Sequence, residues 1–269
     1  MKTVDQQNVL LDTFNLVRGP RLGRGGSGEV VLASAKHDPS LKVAVKMVSL
    51  KRKSGETDFF NEVSFLRELR HPHILKMIAF ACVPQHGFIL MTYYQNGTLS
   101  SLIWSEPLKG RRMLGHVLDV TCALEYLHNR YIYHQDVKPL NILLDNQDRA
   151  ILGDFGHAKQ ARDSSAKVRE WVSTPGFYGP ETRKGRPMCP FKLDMYSLGV
   201  TMWLLVYRTH TIHPDPLAAK DYCRKVREPY RRILLQLLHK DPNQRWRAAD
   251  LMRFSVWNSL RAPSQLTTR

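Results

Sequence analysis

The sequence predicts an α+β fold of two lobes, a small strand-rich lobe with one helix and then a larger helical lobe. Three observations carry this. The first part of the chain breaks into short β-branched or apolar runs bounded by turn residues. The second part repeats apolar residues at spacings of three and four. The change falls at "YYQNGTL", residues 93–99, where Asn-Gly marks a turn.

The elements follow in order. Val30–Leu32, Val43–Val48 and Phe88–Met91 read as strands. Between the second and third lies "DFFNEVSFLRELRHPHIL". Phe59, Val63, Leu66 and Leu69 recur at helical spacing there, and Glu62 shares a face with Leu66. Met113, Val117, Val120, Leu124 and Leu127 predict an amphipathic helix of about five turns. "DMYSLGVTMWLLVY" (194–207) is apolar nearly all round and predicts a buried central helix. "YRRILLQLLHK" (230–240) predicts another amphipathic helix, and Ile142–Leu144 and Ile151–Leu152 are short apolar strands.

The bulk properties bound the function. A chain of 269 residues with 43% hydrophobic content can build one large domain or two lobes sharing a cleft. The longest apolar-rich run, Leu198–Tyr207, is half of the roughly 20 residues a membrane span needs. "MKTVDQQNVLLD" lacks the apolar core of a signal peptide. An intracellular protein, cytoplasmic or nuclear, is expected. Cys82, Cys122, Cys189 and Cys223 are scattered, which excludes a clustered zinc site and predicts buried free thiols. A net charge of +16 favours anionic partners: acidic protein, nucleic acid, phosphate or an anionic membrane surface. No nucleic-acid stacking motif or reader helix supports the second. "KRK" at 51–53 fits a solvated loop better than an import signal.

Three segments carry candidate chemistry. "LGRGGSGEV" places Gly23, Gly25, Gly26 and Gly28 between Leu22 and Val30, so the backbone can approach a bulky anion. G-x-G-x-x-G also marks dinucleotide sites, but those run into a helix, and here "EVVLASA" reads as a strand. A flexible hairpin remains the alternative. In "VAVKM", Lys46 sits among apolar neighbours. It needs an anion, for which Glu62 is the candidate, unless it snorkels to solvent. "YIYHQDVKPLN" (131–141) holds Asp136, Lys138 and Asn141, and Asp154 in "LGDFG" follows 13 residues after Asn141. Oxygen ligands at neighbouring strand ends suit Mg²⁺, which keeps phosphate and water for its other ligands. Asp136 can receive a hydroxyl proton and Lys138 can neutralise a moving phosphoryl group. Taken singly, Asp and Asn are also ordinary turn residues.

In this order the segments resemble the protein kinases. The glycine loop, "VAVK", Glu62, "HQDVKPLN", "DFG" and "GPE" (179–181) appear in family sequence, with Asp194 opening the buried helix and Arg245 in "KDPNQRW". The resemblance implies the bilobal kinase fold, a β-rich N-lobe with one key helix and a larger α-helical C-lobe. It implies a catalytic domain over 14–260, with lobes at about 14–92 and 95–260, an extension at 1–13 and a tail at 261–269.

It also implies roles. Leu22, Gly23, Arg24, Gly25, Gly26, Ser27, Gly28 and Val30 would cover the phosphates of ATP. Lys46, oriented by Glu62, would hold the α- and β-phosphates. Asp136 would position the substrate hydroxyl, and Lys138 would sit on the γ-phosphate. Asn141 and Asp154 would hold Mg²⁺, or Mn²⁺ in its place. Adenine would lie between Val30 and Ala44 above and Leu143 below, against Thr92, Tyr93 and Tyr94, with Met91 gating the rear. Leu66, Met77, His134 and Phe155 match an apolar stack anchored by Asp194, so His134 is expected to pack rather than catalyse. Glu181 and Arg245 are expected to form a buried ion pair.

Lys138 beside Asp136, and Thr174 in "STPGFYGPE", resemble serine/threonine kinases rather than tyrosine or dual-specificity ones. The expected function is transfer of the γ-phosphoryl of Mg·ATP to protein hydroxyls, on substrates favoured to be acidic. A scaffold binding partners without phosphotransfer is the alternative, although Lys46, Asp136 and Asp154 are all present. The chain is expected to act without a flanking regulatory domain. Two departures stand out. Gln135 occupies the usual arginine position before the catalytic aspartate, and Gly179 replaces the usual alanine. Glutamine cannot pair with a loop phosphate as arginine does. Activity is therefore expected not to depend strongly on phosphorylating 157–172, though Ser164 and Ser165 are available.

Overall fold

The computed structural model of the chain describes residues 11, 14–26, 28–105, 110–209, 226–255 and 257. It divides into two compact units, Met1–Arg70 with Leu75–Gln95, and His71–Ile74 with Asn96–Arg269.

The first unit is a five-stranded antiparallel sheet: β1 (Leu16–Gly25), β2 (Gly28–Ala35), β3 (Lys42–Ser49), β4 (Met77–Val83) and β5 (His86–Thr92), in the order β1-β2-β3-β5-β4. Strand alternation gives this sheet two functions. Val31, Ala33, Val45, Met47, Phe88 and Leu90 form one buried cluster with Leu11 and Leu16. The register Val30↔Lys46↔Ile89 and Leu32↔Ala44↔Met91 places the alternate residues together on the other face. Helix α1 (Lys53–Glu68) buries Phe59, Glu62, Val63 and Leu66. Leu69, expected within that helix, is its C-cap in extended conformation, and "HPHIL" lies beyond.

Strands β1 and β4 were not anticipated. β1 carries Pro20, shifts register twice against β2 and is almost wholly exposed, so no alternation marks it. β4 lies at the sheet edge, and its outward positions are apolar or cysteine. Cys82 is one of those positions and is exposed, which corrects the expectation of buried thiols. Cys189 is buried, Cys122 is half-buried, and Cys223 lies outside the described residues.

The second unit is built on α2 (Leu99–Ser105), α3 (Gly110–His128), α4 (Pro190–Tyr207), α5 (Tyr230–Leu237) and α6 (Ala248–Met252). Every residue of α4 from Pro190 to Leu205 is buried, so it has no polar face to present. It packs on α3 and α5. Helix α5 stops at Leu237 rather than running to Lys240, and the carbonyl of His239 instead accepts from the Arg245 guanidinium at 3.0 and 3.2 Å. Two small antiparallel ladders complete the unit: β6 (Ile132–Tyr133) with β9 (Lys159–Gln160), and β7 (Ile142–Leu144) with β8 (Ala150–Leu152). His71–Ile74 joins this unit by hydrogen bonds. The Leu152 N–H donates to the His73 carbonyl at 2.9 Å, His73 Nδ1 lies 3.0 Å from the Ala150 carbonyl, and Ile74 bridges Leu152. No helix among the described residues is long and apolar enough to cross a membrane.

Candidate active site

In the first unit, Gly23 and Gly25 end β1 and Gly28 opens β2. Leu22, Gly23, Arg24, Gly25 and Gly26 are exposed, and Gly28 and Val30 are half-buried. Ser27 lies outside the described residues. Gly28 has φ +129°, and a Cβ there would collide with the Met47 carbonyl, so the hairpin requires glycine at this position. The opposite strand face carries Val30, Ala44, Lys46 and Met91 together. Lys46 Nζ donates to Glu62 Oε2 at 2.6 Å, and both side chains are buried. A desolvated ammonium is costly unless an anion meets it, and α1 supplies that anion at helical register with Leu66. Thr92 ends β5, with half-buried Tyr93 and Tyr94 following.

In the second unit, Asp194 in the first turns of α4 organises the catalytic stretch. It is fully buried. Its Oδ2 accepts from the His134 N–H at 2.8 Å and its Oδ1 from the Gln135 N–H at 2.9 Å, with His128 Nε2 at 3.0 Å. These bonds hold Gln135 at φ 69°, a left-handed backbone that glutamine adopts at a cost. His134 Nε2 meets the Gly153 carbonyl at 3.0 Å, and its ring packs edge-on against Phe155 at 4.9 Å. Burial lowers the His134 pKa against the pull of Asp194, Asp136 and Asp154, so the ring is held neutral.

The turn at Gln135 delivers Asp136. Its carboxylate is 2.7 Å from Lys138 Nζ, accepts from Asn141 Nδ2 at 2.9 Å, and accepts from the Thr174 hydroxyl at 2.7 Å. Lys138 Nζ also donates to Thr174 Oγ1 at 2.7 Å. Burial works to raise the Asp136 pKa, but the bonds and charge of Lys138, with the Thr174 hydroxyl, outweigh it and hold the carboxyl below its usual range. Asn141 closes the short 3₁₀ turn Pro139–Asn141 before β7, and Asp154 follows β8. Ile142 pairs with Leu152, and the Gly153 N–H donates to the Asn141 carbonyl at 2.8 Å, so Asn141 and Asp154 leave the same end of one hairpin. Asp154 has φ 60°. Half-buried Leu143 lies between them in β7 and bridges Thr98.

The donor set fits a hard divalent cation. Asn141 Nδ2 is committed to Asp136, to its side chain at 2.9 Å and its carbonyl at 2.8 Å. That leaves the amide oxygen as the atom Asn141 would offer a cation, with the Asp154 carboxylate as the other oxygen donor from the same end of the hairpin. No cluster of three or more His, Cys, Asp or Glu among the described residues could hold a metal. A cation here would take most of its ligands from phosphate and water, as Mg²⁺ does.

Below the loop, Arg245 is buried and forked onto Glu181 at 2.6 and 3.0 Å. Gly179 makes room for that carboxylate, which a Cβ at 179 would strike. The bonds of His128 to Asp194 and the seat of Trp171 beside Tyr133 had no signal in the sequence.

The protein kinase domain family matches residues 16–256. Among curated proteins, the chain is 28% identical over 268 residues to the serine/threonine-protein kinase PAK mbt of Drosophila melanogaster, covering 95% of this chain and 41% of that protein. It is 28% identical over 245 residues to the serine/threonine-protein kinase PAK 4 of Homo sapiens, covering 87% and 41%. It is 31% identical over 283 residues to the CBL-interacting protein kinase 4 of Oryza sativa subsp. japonica, covering 96% and 60%. The chain therefore spans between about two-fifths and three-fifths of the length of these relatives. A strand-rich unit with a buried Lys–Glu pair, and a helical unit with an Asp-Lys-Asn loop, define the class. The chain belongs to the protein kinase domain family.

Proposed function

We propose that this chain transfers the γ-phosphoryl group of ATP to serine and threonine hydroxyls of proteins. One observation carries the reading: the buried Asp136 carboxylate is held by Lys138 and Asn141 of its own short loop and by the hydroxyl of Thr174 from a segment 38 residues on. This carboxylate and ammonium are spaced to address one hydroxyl from two sides. Relatives named as serine/threonine-protein kinases support the choice of acceptor. We assign the catalytic domain to 14–260.

In the reaction, the acceptor oxygen bonds to the γ-phosphorus, the bond to the β,γ-bridging oxygen breaks, and ADP leaves. The hydroxyl proton passes to Asp136. A carboxylate with a lowered pKa is a weak base, so its main work is orientation, in keeping with phosphoryl transfer. Lys138 offsets charge on the transferred group. Lys46, fixed by Glu62, holds the α- and β-phosphates, with the Gly23–Gly28 turn over them. Val30, Ala44, Met91, Thr92, Tyr93 and Tyr94 of the first unit are the residues assigned to adenine. Asn141 and Asp154 would hold Mg²⁺ or Mn²⁺, which would supply neutralisation of phosphate charge. The net charge of +16 favours acidic substrates. Because Gln135 is neutral, activity does not require a phosphate on 157–172.

The test uses phosphatase-treated protein with Mg²⁺, labelled ATP, and acidic and basic substrate proteins, beside Asp154→Ala. The expected result is labelling of serine and threonine in the acidic substrate by wild type alone. Equal labelling by the variant would sink the Asp154 assignment. Activity seen only after loop phosphorylation would sink the reading of Gln135.

A further inference from the structure

We propose that Trp171 is a positioning residue of this site: stacked on Tyr133, it seats segment 168–174 so that Thr174 meets Asp136 and Lys138 without an ion pair at position 135. The inference rests on the reading of Asp136 as the group that faces the substrate. The Trp171 and Tyr133 rings are 5.9 Å apart at 20°, a stacked pair. Phe191 meets the edge of Tyr133 at 6.3 Å and 88°. Tyr133, Cys189 and Phe191 form a buried cluster onto which Ala161, Val168 and Trp171 pack. Val168 and Met188 exchange two backbone hydrogen bonds of 2.8 Å.

The spacing makes this cluster act on the site. Tyr133 stands three residues before Asp136, and Trp171 stands three residues before Thr174. Thr174 donates to Asp136 Oδ1 through its hydroxyl at 2.7 Å and its N–H at 3.3 Å. The ring stack and the Thr174–Asp136 bonds are thus two rungs between the same pair of segments. Between the rungs, position 135 carries a neutral side chain. Gln135 is fully buried, and neither atom of its amide has a hydrogen-bond partner among the described residues. Trp171 Nε1 and Ser173 Oγ are likewise buried without one. Those unmet groups oppose the seat, which is held by the apolar cluster, the Val168–Met188 bridge and the bonds of Thr174 to Asp136 and Lys138. Losing the Trp171 ring removes the apolar rung and leaves Thr174 held from its own end alone. Exposed Ser165 bonds to Asp163 at 2.6 Å and takes no part in it.

The experiment compares phosphate-free wild type with Trp171→Ala, Trp171→Phe, Trp171→Leu and the exposed neighbour Val172→Ala. It reads amide hydrogen exchange at Val168 and Thr174, and steady-state kinetics toward a threonine peptide and ATP. In Trp171→Ala both amides should exchange at least about 10-fold faster, while those of α4 are unchanged. The peptide kcat/KM should fall about 10-fold with the ATP KM within twofold of wild type. Phenylalanine should restore both readouts to within about threefold, and Val172→Ala should change neither. If the alanine variant does not fold, Trp171→Leu carries the test, with both amides expected about threefold faster. Unchanged exchange at Val168 and Thr174 in a folded variant, or a loss that phenylalanine does not restore, overturns the proposal. A wild type that transfers no phosphate defeats the proposed function, and the exchange data then still decide the seat.

Discussion

Asp194→Asn removes one charge and nothing else in size. In the native loop the carboxylate accepts from two adjacent backbone N–H groups, those of His134 and Gln135, and from His128. Asparagine has one acceptor oxygen. Whichever way its amide turns, its NH₂ faces a donor, so at least one charge-assisted bond is lost. That costs about 1.5–3 kcal/mol, and the stranded buried N–H adds about 1–3 kcal/mol. The sum is about 2.5–6 kcal/mol. Gln135 is held at φ 69° by those same bonds, so a relaxed backbone becomes available to the loop. If the working loop loses about 3 kcal/mol against the relaxed one, its population falls about 100-fold, at 1.4 kcal/mol per decade. The assay is steady-state phosphorylation of a threonine peptide, beside urea unfolding followed by tryptophan fluorescence. All five tryptophans belong to the second unit, so the signal reports the fold that Asp194 supports. The expected result is kcat down about 100-fold, stability down about 2.5–6 kcal/mol and an ATP KM little changed. A kcat within threefold of wild type would refute the claim that Asp194 holds the loop in its working shape.

Two further outcomes follow from the same geometry. Glu181→Gln strands the buried Arg245 guanidinium, which keeps its bonds to the Lys192 and His239 carbonyls, so the loss should lie near the lower end of the 3–5 kcal/mol range, about 3. At about 2–4 °C per kcal/mol this lowers Tm by about 6–12 °C, and a calorimetric shift under about 2 °C would contradict it. Asp136 has a lowered folded pKa, so its contribution to stability is present above the unfolded carboxylate value near 4 and is lost as pH falls through the folded one. Thr174→Val removes one of the groups lowering that pKa and leaves burial in place. The acid limb of the kcat/KM profile should therefore move to higher pH, and coincident limbs in the two proteins would count against the assignment.

What the sequence disclosed depended on whether a residue's environment is local. Lys46 in "VAVKM" announced a buried charge that needed an anion, and a helix of the right period offered Glu62. Asp136, Lys138 and Asn141 reach one another within a single loop, so their spacing was enough. α1 and α3 were legible because one-sided burial imposes a period on them, and α4 because burial on all sides makes it a continuous apolar run. β1 was not, since it is almost wholly exposed, and β4 was not, since its exposed alternate residues are apolar or cysteine rather than polar. The excursion of His71–Ile74 into the second unit was hidden too. Its causes, bonds to Ala150 and Leu152, lie almost eighty residues away.

Trp171 is the sharpest case of a residue whose meaning lies off the local chain. In sequence it is one aromatic among exposed charged neighbours, without periodicity. Its function becomes visible only when Tyr133 and Thr174 are placed beside it. Gln135 gains its sense from the same placement. An arginine there would offer a fixed charge to an incoming phosphate and make the loop conditional on it. A buried neutral amide offers none, and on the proposed reading the contacts that order segment 168–174 are those already within the chain. The Trp171–Tyr133 stack and the Val168–Met188 bridge are present without any phosphate. Replacing a charge-conditional clasp by an apolar one changes what can switch it. Loss of apolar contact or insertion of charge beside Trp171 should release the segment, whereas a phosphate on exposed Ser164 or Ser165 finds no cation at position 135.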